Sequence, residues 1–231
     1  MRGLHIDIGS EGKPAAVTAL VYPAATEPVG ATLVLAHGAG AGQHSPFMTA
    51  FGRGLAAHGL DVVTFNFLYT EQRRRLPDRQ PVLEACYRAV LDAAKSDAGL
   101  PMPHVFIGGK SMGGRIATHI AASDSDRAIG GLVLLGYPLH PPGRPEERRD
   151  SHLAGIRRPM LFVQGGRDAF GTPAELDPIL SALSPPATLS VVEGGDHSFK
   201  RSPTSAESQA SMYQNVQRTI ASWIREIIAA S

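Results

Sequence analysis

Short apolar runs alternate with stretches of helical period along most of this chain. Residues 31–36 (Ala-Thr-Leu-Val-Leu-Ala) form a continuous apolar run, the pattern of a strand buried on both faces. The same pattern predicts strands at 15–22, 61–67, 104–108, 131–135, 160–164 and 188–192. Helices are predicted over 46–58, ending at Gly59, and over 81–98, stopped by Gly99 and Pro101. Others fall at 111–122 and 173–183, and a long amphipathic helix at 207–230 closes the pattern. Strands in regular alternation with helices define an α/β architecture: a mostly parallel sheet flanked by helices on both faces. Residues 136–150, rich in proline and charge, carry no period and are too short for a cap domain. They predict an open site, and serve either as a connector or as a wall that touches substrate.

Composition adds bounds rather than identity. The length of 231 residues fits one domain spanning 1–231, and 43% hydrophobic residues suffice for its core. No internal repeat divides it. A formal net charge of +1 gives no long-range pull toward nucleic acid or membrane. The single cysteine, Cys86, excludes an intrachain disulfide and a thiolate metal cluster. It lies in a helical pattern and reads as a small buried hydrophobe, not a reactive thiol. The N-terminal residues lack the apolar run of a signal peptide, and no stretch of transmembrane length occurs, so a cytoplasmic protein is expected. No group of His, Asp, Glu and Cys has metal-ligand spacing, and neither a metal nor another cofactor is expected.

The chemistry concentrates after the strands. Gly109-Lys110-Ser111-Met112-Gly113 matches G-x-S-x-G, follows a predicted strand and opens a predicted helix. That context turns a short motif into a nucleophile elbow, which lifts the Ser111 hydroxyl above the sheet; the alternative is a plain turn with a serine N-cap. Acyl transfer also needs two preorganised N–H donors for the developing oxyanion. Met112, next to the nucleophile, supplies one, and the glycine-rich loop His37-Gly38-Ala39-Gly40-Ala41-Gly42 supplies the other, assigned to Ala39. Phosphate cradling by these glycines is the minor reading, because no Lys-Ser/Thr pair follows them. His37 is expected to brace the loop.

A serine hydroxyl needs an imidazole to take its proton, and the imidazole needs a carboxylate to fix its tautomer. Asp168 follows the predicted strand 160–164, and His197 follows 188–192, so both fall on the face where Ser111 emerges. Asp196 and Glu193 are rival acids, and His44, His119, His140 and His152 rival bases without that strand context. His44, His140 and Arg73 are candidates for substrate contact. Arg73-Arg74-Arg75 would steer an anionic substrate or, more simply, form a solvated charge cluster. The mixed charges of Glu146–Asp150 read as an exposed helical turn, and Trp223 as part of a core or partner face.

Taken together, these segments resemble the α/β-hydrolase superfamily over nearly the whole chain. Within it the chain is similar to the dienelactone-hydrolase-like branch. It looks like bacterial relatives of the hydrolase-like domain in a regulatory subunit of the NSL histone acetyltransferase complex. The resemblance is carried by His37 to Gly42 with Ser45-Pro46-Phe47-Met48, by Gly108 to Arg115, by Gly136 to Gly143, by Gln164 to Gly171 and by Gly195 to Phe199. It implies the α/β-hydrolase fold without a large cap and a Ser111–Asp168–His197 triad. The expected activity is hydrolysis of esters, thioesters or related small acyl substrates; the alternatives are an acyltransferase or a non-catalytic interaction module. Dienelactone hydrolases use a cysteine nucleophile, whereas this chain has Ser111, so dienelactone is not implied as the substrate.

Overall fold

The computed structural model describes residues 1–9, 15–97, 99–100, 102–123, 128–200 and 208–230. In chain order its elements are β1 (Arg2–Asp7), β2 (Ala16–Tyr22), β3 (Ala31–Ala36), α1 (Pro46–Ala56), β4 (Asp61–Phe65), α2 (Leu68–Glu71), α3 (Gln80–Ser96) and β5 (His104–Lys110). Then follow α4 (Met112–Ser123), β6 (Gly131–Leu135), β7 (Met160–Gly165), α5 (Pro173–Ser181), β8 (Thr188–Val192) and α6 (Gln209–Ala229). The strands form one eight-stranded sheet in the order β1-β2-β4-β3-β5-β6-β7-β8. From β4 to β8 all neighbours are parallel, while β1 and β2 extend the sheet as an antiparallel edge.

The continuous apolar run of β3 has the expected cause. Val34 and Ala36 join the core under α3 and α4, and Leu33 and Leu35 the core under α1 and α6. Every residue of β3, β4 and β6 is buried, because helices cover both faces. Trp223 belongs to the second core, edge-on to Phe106 at 6.0 Å.

Two elements differ from the sequence pattern. β1 was not predicted, although Leu4, Ile6 and Ile8 alternate with His5 and Asp7 in the period of a half-buried strand: Ile6 is buried, and Leu4 and Ile8 pack against the core. The strand predicted at 61–67 stops at Phe65, because the Phe67 N–H donates to His37 Nε2 at 3.2 Å instead of to the sheet. Chain there turns into the short α2. The Pro101 stop signal and the helix ends expected at Ala98 and Glu207 lie outside the described residues. No helix among the described residues is long and apolar enough to cross a membrane.

The order β4-β3-β5 creates the functional geometry. The chain leaves β3 through α1 toward β4, then returns through α3 to β5 on the other side of β3. Loops after β3 and β5 therefore diverge from a topological switch point, where open α/β sheets form their clefts. Ala36 pairs with Gly109, which puts the glycine loop directly beside the elbow.

Candidate active site

Ser111 sits in the tight turn between β5 and α4 with φ 52°. Its N–H donates to Leu135 O at 2.9 Å, fixing the turn against β6. This left-handed backbone is strained for a serine, and the surroundings must hold it. Gly109 makes room for it: a Cβ there would stand 2.5 Å from Ala36 O and 2.7 Å from the Gly113 carbonyl carbon.

The predicted acid and base arrive from the loops after β7 and β8. Ser111 Oγ donates to His197 Nε2 at 2.8 Å. His197 Nδ1 faces both Asp168 oxygens, at 2.8 and 3.0 Å. The carboxylate accepts, so Nδ1 carries the proton and Nε2 is free to accept from the serine. Asp168 is fully buried and also accepts from Phe170 N at 2.8 Å and Gln164 Nε2 at 2.9 Å. The Phe170 ring packs over the imidazole, 4.2 Å between centroids.

Ala39 and Met112 line the same cavity as Ser111 and His197, and among the described residues neither N–H has a protein partner. His37 braces this loop as expected. Its Nε2 accepts from Phe67 N and lies 3.2 Å from the Thr70 hydroxyl, so Nδ1 is the donor to Gly38 O at 2.8 Å. Burial lowers its pKa and keeps the ring neutral.

The cavity has a volume of about 680 Å³. Phe47, Met48, Leu83, Phe170 and Tyr213 give it an apolar side, and Arg115, Arg149 and Lys200 a cationic one. Burial, followed by the charge of Arg149, lowers the pKa of Arg115. Pro138 and Arg149 come from the irregular 136–150 segment, which therefore forms part of the wall. Its charged stretch is a set of turns rather than a helical turn, with Arg149 N bonded back to Leu139 O at 2.8 Å.

The predicted substrate contacts fall elsewhere. His44, His140 and Arg73 are not among the residues lining the cavity. His140 is buried with Nε2 3.2 Å from Glu175 Oε1, tying its loop to α5. Arg73 occupies an exposed left-handed turn, φ 55°, and His44 is exposed just before the α1 cap. Of the rivals, Asp196 accepts from Ser198 N and Lys200 N and shapes its own turn. His119 and His152 stack on each other at 3.7 Å outside the cavity. Cys86 is buried, and desolvation pushes its thiol up to about 12. Among the described residues, no group of three or more His, Cys, Asp or Glu side chains could hold a metal ion.

Pattern reading missed the residues that hold the constellation. Gln164 clamps Asp168, Tyr87 bridges β3 and β5 beneath the elbow, and Lys110 bonds the His197 loop. Gln164 and Lys110 carried one signal: a polar side chain at the end of a buried strand.

Comparison with known proteins agrees with this architecture. Residues 29–225 match the model of the alpha/beta hydrolase domain family, and the chain belongs to that family. Est1E from Butyrivibrio proteoclasticus, solved with ferulic acid bound, superposes with a TM-score of 0.75 at 15% identity, covering 97% of this chain and 99% of that one. A dienelactone hydrolase from Anabaena variabilis gives 0.72 at 18% identity, over 97% of both chains. A serine hydrolase without a lid, from Xanthomonas campestris, gives 0.65 at 18% identity, covering 99% of this chain and 94% of that one.

Proposed function

We propose that this protein is a serine hydrolase of carboxylic esters, thioesters or related acyl compounds. The observation that carries the reading is the unbroken line from Ser111 Oγ through His197 to buried Asp168, with both links at 2.8 Å. Ser111 Oγ attacks the acyl carbon as its proton passes to His197 Nε2. The carbonyl electrons move to oxygen, which the N–H groups of Met112 and Ala39 stabilise. Collapse of the adduct expels the leaving group, which takes the proton from His197. Water then attacks the acyl-enzyme by the same route and restores Ser111. Asp168 holds the tautomer and offsets the imidazolium charge. The short 136–150 wall and the cationic side of the cavity, formed by Arg115, Arg149 and Lys200, favour small, water-soluble acyl groups.

A fluorophosphonate probe tests the reading. Folded protein should label at Ser111, and Ser111→Ala should abolish labelling. No labelling of the native chain, or equal labelling of the variant, would refute it and leave a non-catalytic module. Short-chain aryl esters and thioesters should then turn over faster than long-chain lipid esters; the reverse order would overturn the size argument.

A further inference from the structure

The elbow carries a lysine that the reaction above does not use. Lys110 ends β5, immediately before Ser111, and is only 8% exposed. Its ammonium donates to the carbonyl oxygen of His197 at 2.5 Å. The ring centroids of Phe47 and Phe199 lie 5.8 and 5.9 Å away. Packing around the bond is tight: a methyl group on Gly136 would stand 2.9 Å from that carbonyl oxygen and 3.0 Å from Lys110 Nζ. Among the described residues no carboxylate forms an ion pair with Lys110. Burial lowers its pKa from 10.5 to about 8, while Asp168 and Asp196 oppose the shift from a distance. Near neutrality the group is still mostly charged. A buried ammonium without an ion-pair partner is costly, and an apolar side chain of similar length would fill the slot more cheaply. Stability is therefore a poor account of this residue.

We propose that Lys110 is a positioning residue for the proton relay, its ammonium tying the His197 loop to the elbow. The proposal rests on the Ser111–His197–Asp168 reading. The tie joins the residue before the nucleophile to the backbone of the base itself, so it sets the Oγ–Nε2 separation over a very short path.

The test is the rate of fluorophosphonate labelling of the folded full chain, which requires no known substrate. Lys110→Met removes charge and donor, whereas Lys110→Gln removes the charge and keeps a donor. The labelling rate should fall about tenfold in Lys110→Met and be largely restored in Lys110→Gln. An unchanged rate in Lys110→Met, or an equal fall in both variants, overturns the proposal, because lost packing slows both alike and only the tie to His197 O depends on the donor. Unfolding of both variants also overturns it, making Lys110 a folding residue. A native chain that does not label refutes the hydrolase reading first and takes this proposal with it.

Discussion

Replacing Gln164 by methionine asks how firmly the acid of the proposed triad must be held. Gln164 is fully buried at the end of β7. Its Oε1 accepts from Tyr137 N at 2.8 Å, and its Nε2 donates to Gly171 O at 2.7 Å and Asp168 Oδ2 at 2.9 Å, with Tyr137 O at 3.2 Å. Methionine keeps most of the volume and can replace none of these donations. Asp168 would still accept from Phe170 N and His197, so it stays ionised and partly oriented. Tyr137 N–H and Gly171 O lose a partner inside the protein. Each buried group left unpaired costs ~1–3 kcal/mol, so the pair costs roughly 3 kcal/mol after relaxation. For a chain of this size that lowers the thermal midpoint by about 6–12 °C. A carboxylate free to swing should also slow the reaction of Ser111 by about 10–100-fold. Thermal unfolding followed by circular dichroism, with labelling rates measured on folded protein, reads both effects. A midpoint within about 2 °C of the native value would refute the energetic argument. An unchanged labelling rate would show that Asp168 needs no clamp.

Asp168→Asn should keep the fold and cut the rate of ester turnover by about 10⁴, because an amide no longer selects the Nδ1–H tautomer; steady-state kinetics on an aryl ester decides this. Gly109→Ala should yield little folded protein in a solubility and circular-dichroism assay, since the clash is with backbone on two sides and no side chain can yield. In Tyr87→Phe, Gly108 N–H loses its 3.0 Å acceptor and Val34 O its 2.7 Å donor, so urea unfolding should show a loss of ~1–3 kcal/mol with little change in labelling. His152 is held down to about 4 by burial, then by the charges of His119 and Arg115. Between its ordinary 6.5 and about 4 the unfolded chain takes a proton that the folded chain refuses, so stability falls as pH drops through that window. His152→Gln should flatten this dependence in urea midpoints compared at the two ends of the window.

What the sequence made legible follows from where each residue sits. Ser111 and Asp168 follow strands that are buried almost throughout, and His197 follows the half-exposed edge strand β8, so strand placement carried all three to one face of the sheet. His44, His140 and Arg73 were placed near the cleft by the same logic. Their failure to line it shows its limit: chain position fixes a loop's neighbourhood, not the direction of a side chain. His140 turns away because Glu175, across the chain on α5, offers an acceptor. β1 carries a different signal, period two instead of a continuous run: Leu4, Ile6 and Ile8 alternate with His5 and Asp7 because an edge strand is covered on one face only.

The supporting residues are hidden for a different reason, and it is one that sequence reading can exploit. Gln164 follows Met160-Leu161-Phe162-Val163, and Lys110 follows a strand whose earlier positions are almost all buried. In a sheet covered on both faces, a polar side chain at such a position must find a partner or cost ~1–3 kcal/mol. The ends of parallel strands are where the site-bearing loops begin, so the nearest partners are the backbone and carboxylates of those loops. Both residues obey this: Gln164 binds the loops carrying Tyr137, Asp168 and Gly171, and Lys110 the loop carrying His197. A polar residue interrupting the C-terminal end of a buried parallel strand thus marks a loop under restraint. In a fold that builds its chemistry on loops, that restraint is what holds a 2.8 Å contact between Ser111 and His197 on separate turns of the chain.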